Sequence, residues 1–175
     1  MCWTRSIPKP FKSQDADVDW AGWALFGLVA TAVLTAVMTT AQLVGLTRLD
    51  LPLLLGTVVT PDPDRARVAG FFIHLSIGEG FALGYAASFA LLGRATWWLG
   101  ALLGLLQVVL VLTVLVPLLA GVHPRMASER SGPTSRAVLE PPGLLCLNYG
   151  PQTPIVAIAA HLAYGSALGV LLKAH

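Results

Sequence analysis

Four long stretches almost without charge, Trp20–Thr47, Val68–Gly93, Ala95–Pro124 and Pro141–Leu172, limit what this chain can fold into. Each supplies the roughly 20 apolar residues that a helix rising 1.5 Å per residue needs to cross hydrocarbon. Glu79 is the only formally charged side chain inside any of them. Over the whole chain 55% of residues are hydrophobic and 11% charged, against about 25% charged in an ordinary soluble domain. The expected fold class is all-α: an integral membrane four-helix bundle, embedded in a lipid bilayer, with both termini on the same side.

The spans are placed at about 20–46, 68–92, 96–119 and 154–172, behind a polar N-terminal segment, 1–19, of mixed charge. The first apolar run is too long for the core of a cleaved signal peptide, and no clear small-residue cleavage site ends it. It is expected to be a retained span. Trp20, Trp23, Trp97 and Trp98 suit the membrane–water interface. The connections 47–67 and 121–152 are rich in proline, which breaks helices. Basic residues are nearly balanced across the bilayer, with Arg5, Lys9, Lys12, Arg94 and Lys173 on the terminal side. Arg48, Arg65, Arg67, Arg125, Arg130 and Arg136 stand opposite. The lysines favour cytoplasmic termini in a bacterial cytoplasmic (inner) membrane. Cys2 and Cys146 fall on opposite sides, so a disulfide within one chain is not expected.

Small and polar residues recur on one face of each span. They are Gly27, Thr31, Met38, Gln42 and Gly45 in the first, and His74, Gly78, Ala82 and Tyr85 in the second. Gly100, Gly104, Gln107 and Val111 follow in the third, then Ala157, His161, Gly165 and Gly169 in the fourth. Small residues four apart let membrane helices approach closely, and Thr or Gln beside them can hydrogen-bond across the contact.

Two of these faces carry the same short string, HLSIG at 74–78 and HLAYG at 161–165. Histidine inside hydrocarbon is costly and needs a partner, a cavity or a metal. Counted along the helices, His74 and His161 lie about 10 Å below the surface that bears the long connections. Met38, Gln42 and His123 fall in the same half of the bilayer. Three readings stay open for the histidine pair. They hydrogen-bond between helices without a cofactor, or they ligate haem b from facing helices with Gly78 and Gly165 clearing room for the porphyrin. The third reading is a metal site, copper or zinc, that adds His123 or Met38. Glu79 is expected near the bilayer centre, as a carboxyl bonded to a neighbouring helix such as at Gln107, as part of a proton path, or as a metal ligand. The paired strings also suggest that spans one–two and three–four are parallel repeats.

MTTAQLVGL at 38–46, HLSIG followed by Tyr85, the pair His123–Pro124, and NYG at 148–150 before HLAYG give the membrane portion a likeness. It resembles a functionally uncharacterised family of small bacterial four-span membrane proteins. The resemblance implies a shared fold and brings no activity, cofactor or catalytic residue.

No nucleotide-binding, hydrolase or paired-carboxylate signature stands in a supporting context. Basic residues are dispersed among acids, so nucleic acid is not an expected partner. Two function classes remain. One is an accessory or structural subunit without catalysis of its own, assembled with other membrane subunits or as a homo-oligomer. The alternative is a haem- or metal-binding redox subunit.

Overall fold

The computed structural model describes residues 20–130 and 132–172. Among them the fold is helical without strands. Its elements are α1 (Trp20–Leu43), α2 (Leu51–Gly56), α3 (Pro63–Leu92), α4 (Trp97–Leu110), α5 (Val116–Val122) and α6 (Thr153–Leu171). A π-helical turn, Val111–Leu115, joins α4 to α5, and a 3-10 segment, Leu144–Tyr149, precedes α6. Four helical spans are long and apolar enough to cross a membrane, with α4, the π turn and α5 forming the third. Glycine in the left-handed region ends α3, since Gly93 at φ 64° places its N–H on the Ala90 carbonyl.

The connection 47–67 holds more helix than its prolines suggest. Asp50 accepts from the Leu53 N–H at 3.0 Å and opens α2, with Pro52 in the first turn. Asp62 accepts from Arg65 N at 2.8 Å and opens α3 at Pro63, five residues before the expected Val68. Proline in a first turn sacrifices no hydrogen bond, because the N–H it lacks would have no intrahelical partner. These prolines start helices.

The spans alternate in direction. Thr47, four residues past the end of α1, meets Thr153 at the start of α6, hydroxyl to hydroxyl at 2.7 Å. The first residue of α1 and the last of α6 therefore stand at one end of the bundle. The residues before Trp20, Cys2 among them, lie outside the described residues.

Among the four spans, backbone meets backbone between α4 and α6. A Cβ built on Gly100 would stand 1.9 Å from the Gly165 carbonyl oxygen, and one on Gly169 would stand 2.2 Å from that of Thr96. Gly104 faces the His161 carbonyl in the same way, at 2.3 Å. In the other hairpin, Gly78 of α3 lies against Thr31 of α1. The glycine of each HLxxG string thus serves contact with the preceding span. Short α2 lies along the start of α3, where Gly56 meets Ala66 and Gly70 meets Pro52, backbone to backbone.

The expected faces of α3 and α6 are buried in full. Three departures occur elsewhere, and Gln42 of α1 is one, being only half-buried. Gly45 lies beyond the end of α1 at φ 79° and is exposed. In the third span Leu112, not Val111, is the buried residue, one α-helical turn on from buried Val108, at the start of the π turn. Pro117 supplies a cause for that turn, since its ring would collide with the carbonyl four residues back, at Thr113.

The seam predicts a contrast between glycines. Gly100→Leu should lower the thermal stability of the detergent-purified protein by about 1–3 kcal/mol or more, because backbone cannot yield to the added side chain. Gly80→Leu, on an open face of α3, should leave the melting midpoint close to wild type. Equal midpoints for the two variants would contradict the seam.

Candidate functional site

Where the seam ends, the bundle opens into a cavity of about 360 Å³. All four spans line it, and α2 and the 3-10 segment close it through Leu54, Leu55 and Cys146. His74 and His161 both stand on its wall, as do Met38, Gln107 and Tyr164. A wider hollow of about 630 Å³, between residues 127 and 148, brings together Glu129 and Glu140 without a basic or imidazole group.

Each imidazole is oriented through its Nδ1, His161 by its own helix and His74 by the facing α1. His161 Nδ1 lies 2.8 Å from the Ala157 carbonyl oxygen. A carbonyl only accepts, so Nδ1 carries the proton. His74 Nδ1 lies 3.2 Å from Thr35 Oγ1. The single hydroxyl proton of Thr35 is already donated to the Thr31 carbonyl at 2.7 Å, so this Nδ1 is again the donor. Both rings, as neutral imidazoles, keep an unprotonated Nε2. Among the described residues no hydrogen bond engages either Nε2. Such anchoring of one ring nitrogen is what fixes a ligating histidine for a partner at the other.

Gln107 is fixed in the same manner. Tyr85 donates to its Oε1 at 2.8 Å, which leaves the amide NH2 as the group with hydrogen-bonding capacity to spare. Tyr164 donates its hydroxyl to the Gly78 carbonyl at 2.6 Å, and its ring meets that of Tyr85 edge to face at 5.5 Å.

Other residues singled out in the sequence divide between the cavity and other places. His123 is buried beside α2, where Nε2 donates to the Leu54 carbonyl at 3.0 Å and Nδ1 accepts from Arg125 N at 3.1 Å. Both its nitrogens are spent on holding the connection to α2, and it does not join the pair. Gly78 borders the cavity, whereas Gly165 faces Gly100 on the seam. Met38 shares the wall with the histidines. Among the described residues no three His, Cys, Asp or Glu side chains gather closely enough to hold a metal ion. Glu79 does not reach Gln107. Its carboxylate lies against Gly27 with Oε1 unpartnered, while Trp23 Nε1 donates to its backbone carbonyl at 3.0 Å.

Cys146 is a wall residue that sequence reasoning missed, as it did Tyr164. Leu145 and Cys146 adopt φ of 53° and 63°, a left-handed pair without glycine. Around them Asn148 Nδ2 donates to the Pro141 carbonyl at 3.0 Å, and Tyr149 to that of Glu140 at 2.7 Å. Arg48 pairs with Glu140 at 3.0 Å and donates to the Asn148 carbonyl. The uncharged run Pro141–Leu147 was the available signal. A loop apolar over that length has something to bury.

Compared with known proteins, the chain matches no family model, no curated relative and no solved structure.

Burial pushes the Cys146 thiol up to about 11. The thiolate is the reactive form, and an ordinary cysteine gains it near pH 8.5. In a Cys2→Ala background, Cys146 should resist an impermeant maleimide at pH 8. Its labelling rate should keep rising as pH approaches 11, whereas Arg136→Cys on the exposed connection should label quickly at pH 8. Equal rates at pH 8 would place Cys146 outside the cavity.

Proposed function

We propose that this small multi-pass membrane protein holds a lipid-soluble small molecule between its spans, with His74 and His161 as the polar anchors. The carrying observation is the cavity of about 360 Å³, which falls in the size range of small-molecule sites and bears both imidazoles on otherwise largely apolar walls. A subunit that only packs against others has no need of such a space.

Haem b is the second reading, favoured by the two Nε2 atoms left available for axial ligation. The wall carries no lysine or arginine to meet haem propionates, which weighs against it. Copper held by His74, His161 and Met38 is the corresponding metal reading. The setting that goes with the proposal is a bacterial cytoplasmic membrane with cytoplasmic termini. Association with other subunits or further copies would use lipid-facing small residues such as Gly80 and Gly84 of α3.

Protein purified into nanodiscs and extracted with organic solvent should yield a near-stoichiometric small molecule by mass spectrometry. Ala157→Phe, which fills the cavity from α6, should lose that molecule while keeping its helical circular-dichroism spectrum. Identical extracts from the two proteins would overturn the proposal in favour of an accessory subunit without a ligand. A six-coordinate haem spectrum abolished by His74→Ala or His161→Ala would identify the ligand as haem b.

A further inference from the structure

We infer that the cavity selects a neutral lipid-soluble molecule bearing a hydroxyl group, an alcohol or a phenol, which donates its proton to an imidazole Nε2. This inference rests on the ligand-holding reading above and names the chemistry of the ligand.

Proton bookkeeping on the wall carries it. His161 Nδ1–H is committed to the Ala157 carbonyl at 2.8 Å, and His74 Nδ1–H to Thr35 Oγ1 at 3.2 Å. The fold thereby presents two nitrogen lone pairs as hydrogen-bond acceptors. In an apolar surround an acceptor left without a donor is costly, so a ligand that brings an O–H is favoured over one that does not. Gln107 adds the complementary group. Its Oε1 accepts from Tyr85 at 2.8 Å, so its amide NH2 can donate to a ligand oxygen. A hydroxyl oxygen is donor and acceptor at once and answers both kinds of group.

Charge selects in the same direction. The wall holds no Asp, Glu, Lys or Arg. A carboxylate, a phosphate or an ammonium group would enter without a counter-ion, at a desolvation cost that the surrounding leucines and valines cannot offset. Fatty acids and phospholipid headgroups are thereby disfavoured. The rest of the wall, from Leu34 on α1 to Leu119 on α5, suits a hydrocarbon body.

A matched series tests the inference on the full chain in nanodiscs, with binding read by titration calorimetry. The probes are a sesquiterpenoid alcohol, its methyl ether, the corresponding carboxylate and a neutral alkylphenol. The alcohol or the phenol should bind, and whichever binds more tightly tells the two sources of the hydroxyl apart. Taking the cost of one unanswered buried acceptor, the ether should bind roughly tenfold or more weakly than the alcohol. No heat should be seen with the carboxylate. His74→Phe and His161→Phe should narrow the gap between alcohol and ether. Thr35→Val keeps the imidazole but frees its tautomer, and should narrow the gap with little change in ether affinity. That outcome identifies Thr35 as a positioning residue and does not depend on the histidine variants folding. Ether binding as tight as alcohol, or carboxylate binding tighter than either, would overturn the hydroxyl inference and leave the ligand-holding reading in place. Binding by none of the four probes would overturn the ligand-holding reading itself.

Discussion

Backbone-to-backbone approach at glycine sets the shape of this bundle. Lipid is as apolar as leucine, so helices in a membrane gain little from burying leucine and must gain from close packing. Gly100, Gly104, Gly165 and Gly169 let α4 and α6 meet without side chains between them. That contact runs from the tryptophan end of α4 to the level of His161 and stops there. Beyond it the π turn at Val111–Leu115 widens the third span before the chain resumes α-helix at α5, with Pro117 in its first turn. The cavity occupies the half that the seam does not close.

Inside that half, polar groups are satisfied locally and in one direction. Thr31 donates back to the Gly27 carbonyl at 2.8 Å, and Thr35 to that of Thr31 at 2.7 Å. Such bonds to the preceding turn satisfy each hydroxyl proton within its own helix. They also decide how the neighbours behave. Because Thr35 has no second proton to give, His74 must donate, and its other nitrogen is left as an acceptor on a residue of the cavity wall. His161 reaches the same state through a carbonyl of its own helix. Two unrelated local arrangements thus give one tautomer at both positions.

Much of the fold was legible because hydrocarbon imposes a simple rule on length and charge. Faces at four-residue spacing placed Gly78, His74, Gly165 and His161 in the interior correctly. What escaped notice depends on helix termini and on register. Pro52 and Pro63 look like breakers in a sequence, and only the aspartates just before them, Asp50 and Asp62, mark those positions as helix starts. The π turn has no sequence signal apart from Pro117, and the burial of Leu112 in place of Val111 could not be read. His123 shared depth with the pair but not direction. Depth follows from counting residues, whereas direction depends on how the connection folds back onto α2. Glu79 shows the same limit, since Gln107 was within reach by depth and Tyr85 took its oxygen instead.

The 3-10 segment weighs against reading the cavity as a packing defect. Two successive non-glycine residues in the left-handed region cost roughly 1–3 kcal/mol each, and such conformations persist only where the surroundings hold them. Leu145 and Cys146 are held by the Tyr149 and Asn148 bonds to the Glu140 and Pro141 carbonyls and by the Arg48–Glu140 pair. The result is a thiol buried on the cavity wall, 1% exposed, at the end where α2 also closes the space. An incidental void would leave this connection free to relax into an ordinary turn. Here the chain keeps a costly backbone in order to complete an apolar enclosure around two imidazoles. Such an arrangement favours a cavity maintained for an occupant.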